Sequence, residues 1–297
     1  MGGRDEMADP MIADRVLVAG AGLMGHGIAQ VLAATGRHVT LYEPDVARAI
    51  AGRDRIAGNL GRAVDKGRLG ASERDETLAR IVPTDQLDAA RDVGLVVEAV
   101  FEDVDVKTGL WRSLDAIAPA DAIFATNTSS IAIDRLAAAV AEARHRRFVG
   151  MHFFSPVPVM PLIELIRGAA TSDETEAAVR QLAADMGKQV IVSADRPGFI
   201  VNRILMPYLA EAMRAYADGL GTADDIDTGA RVGLNHPMGP LELADFIGLD
   251  VCLGIMRVLH EGFGTEQFAP PAILVELVEA GHLGQKTGRG FHTYPRG

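Results

Sequence analysis

The chain has one cysteine, Cys252. No disulfide can form within it, which excludes a small secreted scaffold held by cross-links and makes a reducing compartment its natural home. Cys252 sits in the apolar run 249–256 and reads as buried and inert. Long hydrophobic runs are also missing, since no uninterrupted apolar stretch approaches the roughly 18 residues that suggest a transmembrane span. Basic charge is in deficit, with 29 Lys and Arg against 40 Asp and Glu and a formal net charge of -11. Neutralising phosphates takes clustered cations, so neither a nucleic-acid partner nor a membrane surface is expected. No group of His, Cys and carboxylates has metal-ligand spacing, and no metal is expected. Residues 1–10 carry Arg4, Asp5, Glu6 and Asp9 without an apolar run, and read as a frayed tail rather than a secretory signal. The expectation is a soluble, cytoplasmic protein.

What is present points to two domains. The length of 297 residues and a hydrophobic content of 48% are ample for real cores. From residue 14 to about 194, short β-branched runs alternate with amphipathic stretches of helical length, the pattern of an α/β domain. Candidate strands are 15–19, 39–43, 95–99, 122–126, 148–153 and 190–192, with a helix over 24–35 that ends at Gly36. Residues 47–80 are rich in charge and read as an exposed helical excursion between strands. After Gly198 no convincing strand remains, and apolar residues recur at helical spacing from Ile204 to Tyr216. The fold expected is a Rossmann-like, doubly wound, mostly parallel sheet over 12–195, followed by an all-helical domain of about five helices over 196–297. Within the latter, Thr222 to Asp225 has the spacing of a capping box, and Pro240 and Pro270 mark helix starts. A small apolar helical domain of this kind completes its core against a second subunit, so a homodimer is expected.

The run Gly20-Ala21-Gly22-Leu23-Met24-Gly25 follows a strand and opens a helix, and Glu43 ends the next strand. In that context the glycines form a dinucleotide fingerprint. Gly20 permits the tight turn, Gly22 lets backbone approach a pyrophosphate, and Gly25 lets the helix pack closely with its N-terminus facing the anion. Leu23 and Met24 complete the cofactor-binding loop. Glu43 would bond the adenine ribose hydroxyls and repel a 2′-phosphate, which favours NAD over NADP. His26, on the first turn, is either structural or a supporting contact to the pyrophosphate. Two further strand ends deliver Glu102, Lys107 and Ser129 to the crevice where ligands bind in open α/β sheets. Helix capping by Ser129 or Ser130 is the plainer alternative.

His152 and Glu164 flank a connection carrying Pro156, Pro158 and Pro161, which cannot continue a helix and is stiff enough to turn the chain back. Such a return would bring imidazole and carboxylate together. A carboxylate beside a histidine holds one tautomer and stabilises the imidazolium formed when it takes a proton. Read alone, the two residues are equally a half-buried histidine and an unrelated surface glutamate.

With these pieces assembled, the chain resembles the L-3-hydroxyacyl-CoA dehydrogenase family, and most its 3-hydroxybutyryl-CoA dehydrogenase branch. The resemblance runs from about residue 15 to 294 and is carried by the Gly20 fingerprint and segments 98–107, 127–130, 151–166, 197–203, 235–250 and 284–291. It implies NAD-dependent interconversion of a short-chain (S)-3-hydroxyacyl-CoA and its 3-oxoacyl-CoA, as in β-oxidation of fatty acids. It puts the catalytic base on His152 and its partner on Glu164, and assigns substrate contacts to Ser129 and Asn202. Glu102 and Lys107 would contact the cofactor. The chain departs from the family at Ser155, where the family usually has an asparagine that reaches the cofactor or thioester; the shorter serine puts acyl or carrier preference in doubt. Alternatives are the same chemistry on a dicarboxylic 3-hydroxyacyl-CoA or a carrier-protein thioester, and a catalytically silent dinucleotide-binding structural or sensor protein. Arg62, Lys66 and Arg68 read as a solvated helix face, with contact to CoA phosphates as the alternative. His236 reads as structural, and the Gly-rich turn 286–290 as a dock for the C-terminal tail.

Overall fold

The computed structural model describes residues 14–295. The tail expected at residues 1–10 and the first two residues of the expected domain lie outside the described residues. The chain divides into two compact units, the first ending at Arg196 and the second starting at Pro197.

The first unit runs β1 (Arg15–Ala19), α1 (Leu23–Ala34), β2 (His38–Tyr42), α2 (Val46–Asp65), α3 (Ala71–Ala79), β3 (Ile81–Thr84), β4 (Leu95–Glu98), α4 (Val104–Asp115), β5 (Ile123–Thr126), α5 (Ile133–Ala137), α6 (Glu142–His145), β6 (Phe148–Phe153), β7 (Leu162–Arg167), α7 (Asp173–Asp185) and β8 (Gln189–Ala194). The eight strands form one sheet in the order β3-β2-β1-β4-β5-β6-β7-β8. All neighbours are parallel except β6 and β7. The doubly wound, mostly parallel sheet is therefore as expected, and its strand order reverses between β1 and β4, the crevice where such sheets bind ligands.

Two strands lie outside the sequence expectation. β3 is a four-residue edge strand with Val82 exposed and Pro83 inside it; an edge tolerates the missing amide, but the proline hides the strand pattern. β7 has a central run buried on both faces, so it lacks the alternation that marks a half-exposed strand. The charged excursion resolves into α2 and α3, which precede β3.

Along β1, Val16 and Val18 join Ile28, Leu32, Val97, Met151 and Val179 in one apolar layer. The strand period of two turns Leu17 to the other face. Beyond β4, Trp111 of α4 stacks on Phe124 of β5, with ring centroids 4.8 Å apart, and meets Phe148 of β6 edge-on at 4.9 Å. The Arg144 guanidinium lies 4.3 Å from the centre of the Phe124 ring, while its Nε donates to Asp115 and its Nη1 to the carbonyls of Pro119 and Ala122. This aromatic packing holds the ends of β5 and β6 side by side.

The second unit contains α8 (Val201–Ala217), α9 (Ala223–Thr228), α10 (Pro240–Ile247), α11 (Leu249–Phe263) and α12 (Ala272–Glu279). It forms an all-helical core around Met206, Leu209, Met213, Leu241, Leu253 and Met256. Thr222 and Asp225 form the reciprocal capping box, and Pro240 stands at the first position of α10. The Pro270 signal was displaced: α12 starts at Ala272, with Pro271 as its N-cap. Two buried carboxylates organise the unit. Asp227 accepts from the amides of Leu241 and Glu242 at the start of α10 and from His292 Nε2. Asp245 accepts from the amides of Phe291 and His292 and the Tyr294 hydroxyl, docking the C-terminal segment. Lys286, in the turn before it, pairs with Asp250 at 2.5 Å. His236 Nδ1 lies 3.0 Å from the Tyr208 hydroxyl. Burial pushes the Cys252 thiol up to about 12, with Asp250 and Asp245 adding to it, so the thiol stays protonated at neutral pH.

Phe124→Ala is expected to destabilise the protein by about 3–5 kcal/mol, since it opens a cavity beneath the indole and strips Arg144 of its ring. Urea unfolding followed by the fluorescence of Trp111, the single tryptophan, measures this. A loss under about 1 kcal/mol would show that the aromatic cluster does not anchor these strands.

Candidate active site

The glycine loop leaves β1 at the topological switch. Gly20 has φ +102°, and a Cβ there would sit 2.5 Å from the Ala99 carbonyl oxygen, so the turn admits glycine alone. A Cβ on Gly25 would lie 1.7 Å from the Gly20 oxygen, whereas one on Gly22 would meet nothing within 4 Å. The turn is thus closed on its inner side and open at Gly22. Gly22 is also the N-cap of α1 and makes no side-chain cap, so the first-turn amides of α1 are not capped by a side chain and suit a pyrophosphate. Leu23 is exposed beside this opening and Met24 packs against the core below it. His26 Nδ1 lies 2.7 Å from the Gly22 carbonyl oxygen and props the loop from within.

Glu43, just beyond β2, accepts a hydrogen bond from the Ala21 amide at 2.8 Å. Its other oxygen lies 3.5 Å from Arg48, whose guanidinium sits 5.9 Å from the centre of the exposed Phe101 ring. A cavity of about 370 Å³ beside the loop is lined by Gly22, Leu23, His26, Arg48 and Arg55 among others. Arg48, Arg55 and Phe101 were missed by the sequence reading; nothing in their spacing sets them apart from a solvated helix face and a loop aromatic. The open glycine, the uncapped helix start and the carboxylate at the end of β2 together fit a dinucleotide.

At the ends of β4 and β5 lies a buried charge network. Glu98 accepts from Lys107 Nζ at 2.6 Å, the Val100 amide at 2.8 Å and the Thr126 hydroxyl at 2.6 Å. Both Glu98 and Lys107 are fully buried. Glu102 lies 3.2 Å from the same ammonium and accepts from the Thr128 hydroxyl, the Ser129 and Ser130 amides and the Ser130 hydroxyl. Burial pushes the Glu102 carboxyl up, but Lys107 and the hydrogen bonds from Thr128, Ser129 and Ser130 outweigh it and hold it below its ordinary value. Lys107 and Glu102 therefore meet each other and the 128–130 loop. Ser129 is not a helix cap, nor is Ser130, because α5 starts at Ile133 with Ala132 as its N-cap. Glu98 was not among the expected site residues; its one signal was an acid closing an otherwise apolar strand.

His152 and Glu164 are direct partners in the antiparallel pairing of β6 with β7. His152 Nδ1 lies 2.8 Å from Glu164 Oε2, and both residues are buried. With a carboxylate at Nδ1, that nitrogen carries the proton and donates, and the basic lone pair resides on Nε2. The Phe154 ring packs 4.7 Å from the imidazole, centre to centre. Asn127 accepts from the Phe153 amide at 2.8 Å, tying the end of β5 to the residue after His152; it too was absent from the expected set. Ser155 follows on an exposed bend. Asn202 lies on the first turn of α8, in the second unit. Arg62, Lys66 and Arg68 are exposed at the end of α2 and just beyond it. Among the described residues no cluster of His, Cys, Asp and Glu is arranged to hold a metal, and no helix is long and apolar enough to cross a membrane.

The fold is shared with known proteins. Residues 15–196 match the family model described as 3-hydroxyacyl-CoA dehydrogenase, NAD binding domain, and residues 198–294 match the C-terminal domain of the same family. A 3-hydroxybutyryl-CoA dehydrogenase of Bradyrhizobium diazoefficiens is 48% identical over 283 residues, covering 95% of this chain and 96% of its own. Among solved structures, FadB2 of M. tuberculosis superposes with a TM-score of 0.93 at 45% identity, over 96% of this chain and 100% of the other. The (S)-3-hydroxybutyryl-CoA dehydrogenase PaaH1 of Ralstonia eutropha gives 0.92 at 43% identity, over 95% and 99%.

The lowered Glu102 carboxyl contributes stability that is fully present above its ordinary value of 4.5 and is lost as pH falls through the lower folded value. Glu102→Gln is expected to flatten the fall in Tm between about pH 5 and pH 3 relative to the unaltered protein. Parallel Tm curves for the two proteins would remove Glu102 as a source of acid lability.

Proposed function

Because the chain belongs to the 3-hydroxyacyl-CoA dehydrogenase family, we propose that it oxidises short-chain (S)-3-hydroxyacyl-CoA thioesters reversibly to 3-oxoacyl-CoA with NAD. The observation that carries this reading is the buried His152–Glu164 pair, closed at 2.8 Å, on a sheet whose switch point presents an open glycine loop. Gly20, Gly22, Leu23, Met24, Gly25 and Glu43 hold the dinucleotide, and Glu43 favours NAD by meeting the ribose hydroxyls with a negative charge. Bound NAD supplies the acceptor for the hydride that leaves C3 of the substrate.

In this reading His152 Nε2 takes the proton of the C3 hydroxyl. The imidazolium then carries its charge beside Glu164, which accepts from Nδ1–H and keeps the ring oriented throughout. Ser129 and Asn202 hold the oxygen as it becomes a carbonyl. Glu102 and Lys107 support the cofactor side of the site: Glu102 fixes the 128–130 loop through four hydrogen bonds, and Lys107 pairs with both Glu102 and Glu98. Ser155, exposed beyond β6, borders the thioester and tunes acyl preference. The second unit pairs with a second copy in a homodimer, offering Ile204, Val232 and Leu234 as exposed apolar side chains. The reaction belongs to fatty-acid β-oxidation in the cytoplasm.

The purified protein is expected to form NADH from (S)-3-hydroxybutyryl-CoA, with NADP a poor substitute. His152→Asn should lower kcat by about 10²- to 10⁴-fold while NADH binding is kept. Undiminished turnover in that variant removes His152 as the base. A series of 3-hydroxyacyl-CoAs of increasing length, read by NADH absorbance, sets the acyl range; silence across the series would defeat the enzymatic reading.

A further inference from the structure

The eight residues that join β6 to β7, 154–161, carry Pro156, Pro158 and Pro161 and so lack three amide donors. Carbonyls on such a segment need partners from elsewhere when they turn inward. The partner here is Lys188, between α7 and β8. Its Nζ donates to the carbonyl oxygens of Val157 and Met160, each at 2.7 Å, and the residue is buried. Both acceptors are neutral, and burial pushes the lysine's pKa down. Holding an ammonium there is costly, and a neutral or apolar side chain would fill the same space without that cost. Two backbone bonds position Lys188 from either side: its own amide donates to Ala183 at the end of α7, and the next amide, of Gln189, donates to Pro161.

The opposite side of the connection meets the cofactor helix. Val157 is buried, and a Cβ added at Gly27 of α1 would lie 2.9 Å from the Val157 Cβ and 3.5 Å from the Pro158 Cδ. The connection is thus gripped between the second turn of α1, which begins at the glycine loop, and the Lys188 ammonium. Its two ends lead directly to Phe153, next to His152, and to Leu162, two residues from Glu164.

We propose that Lys188 is a positioning residue for hydride transfer: by holding the Val157 and Met160 carbonyls it seats the connection on α1 and so fixes the His152–Glu164 ribbon relative to the dinucleotide helix. The proposal rests on the reading of His152 as the base in an NAD-dependent dehydrogenase. Lys188 touches neither substrate nor cofactor in this role and acts only through the connection. Its absence loosens the spacing between base and cofactor without removing a binding contact, so the loss belongs in the chemical step and not in either affinity.

The test compares the full-length protein with Lys188→Met, which keeps an unbranched side chain one atom shorter and removes its donors. The readouts are NADH titration, KM for (S)-3-hydroxybutyryl-CoA and the single-turnover rate of NADH appearance, all normalised to NADH-binding sites. The expected result is unchanged NADH affinity and KM with a hydride-transfer rate lower by about 10- to 100-fold, the effect of a misplacement near 1 Å. Gly27→Ala pushes on the same connection from the other side and leaves Lys188 intact; it is expected to give the same pattern with a smaller fall. A Lys188→Met protein with lowered Tm but an unchanged rate per binding site overturns the proposal and leaves the lysine a structural plug. If Lys188→Met does not fold, the decision passes to Gly27→Ala, and an unchanged rate there overturns the proposal. Turnover in the unaltered protein with no rate change in either variant sinks only the positioning role. No turnover in the unaltered protein removes the functional reading and the proposal together.

Discussion

The register of β6 against β7 decides what the centre of the first unit contains. In an antiparallel pair, directly opposed residues share a face, and a slip of one residue sends every side chain of the strand to the other side of the sheet. In the observed register His152 opposes Glu164, and Met151 opposes Leu165. Glu164 has no exposed surface and His152 very little, so a slipped register would leave a carboxylate in an apolar layer without the ring that donates a hydrogen bond to it. That cost, together with the apolar partners on the opposite face, makes the pairing specific. It is also the one place where the sheet reverses direction, which is why a connection of eight residues suffices where a parallel pair would need a crossover of a dozen or more.

The same register depends on its neighbours being held at their ends. Asn127 takes the amide of Phe153, and the Trp111 ring, stacked on Phe124 and edge-on to Phe148, fastens β5 to β6. Further along the crevice, Glu98 and Lys107 meet with no solvent exposure. A well-packed apolar pair would hold those elements about as tightly, while removing one ion alone would cost about 3–5 kcal/mol. What the charges add is direction. Lys107 aligns Glu102, and Glu102 gathers the hydroxyl of Thr128 and the amides of Ser129 and Ser130. Glu102 and the three groups it gathers are thereby tied to one buried ammonium, which gives the 128–130 loop its arrangement.

Much of this was legible in the linear chain. The glycine fingerprint reads directly because Gly20 and Gly25 answer local steric demands that no other residue meets, while Gly22 leaves the turn open. The helical half reads from periodicity and capping, as Thr222, Asp225 and Pro240 show. Less legible were elements whose local signal conflicts with their state. β3 is masked by Pro83, β7 by burial on both faces, and the start of α12 by two consecutive prolines of which the second caps it. Glu98, Asn127, Arg48, Phe101 and Lys188 were also unreadable as a set, because each matters through a partner between 9 and 53 positions away.

By itself the sequence determined the alternation of elements, the dinucleotide loop and the all-helical second half. These follow from local rules of steric fit, periodicity and side-chain chemistry. Only the tertiary structure decided that Glu164 faces His152, that Lys107 and Glu102 are turned toward each other within the crevice, and that a lysine beyond α7 holds the proline connection. The reason is that a strand register and a buried ion pair are settled by the summed cost of burying and satisfying every group on both partners. No single segment contains that sum.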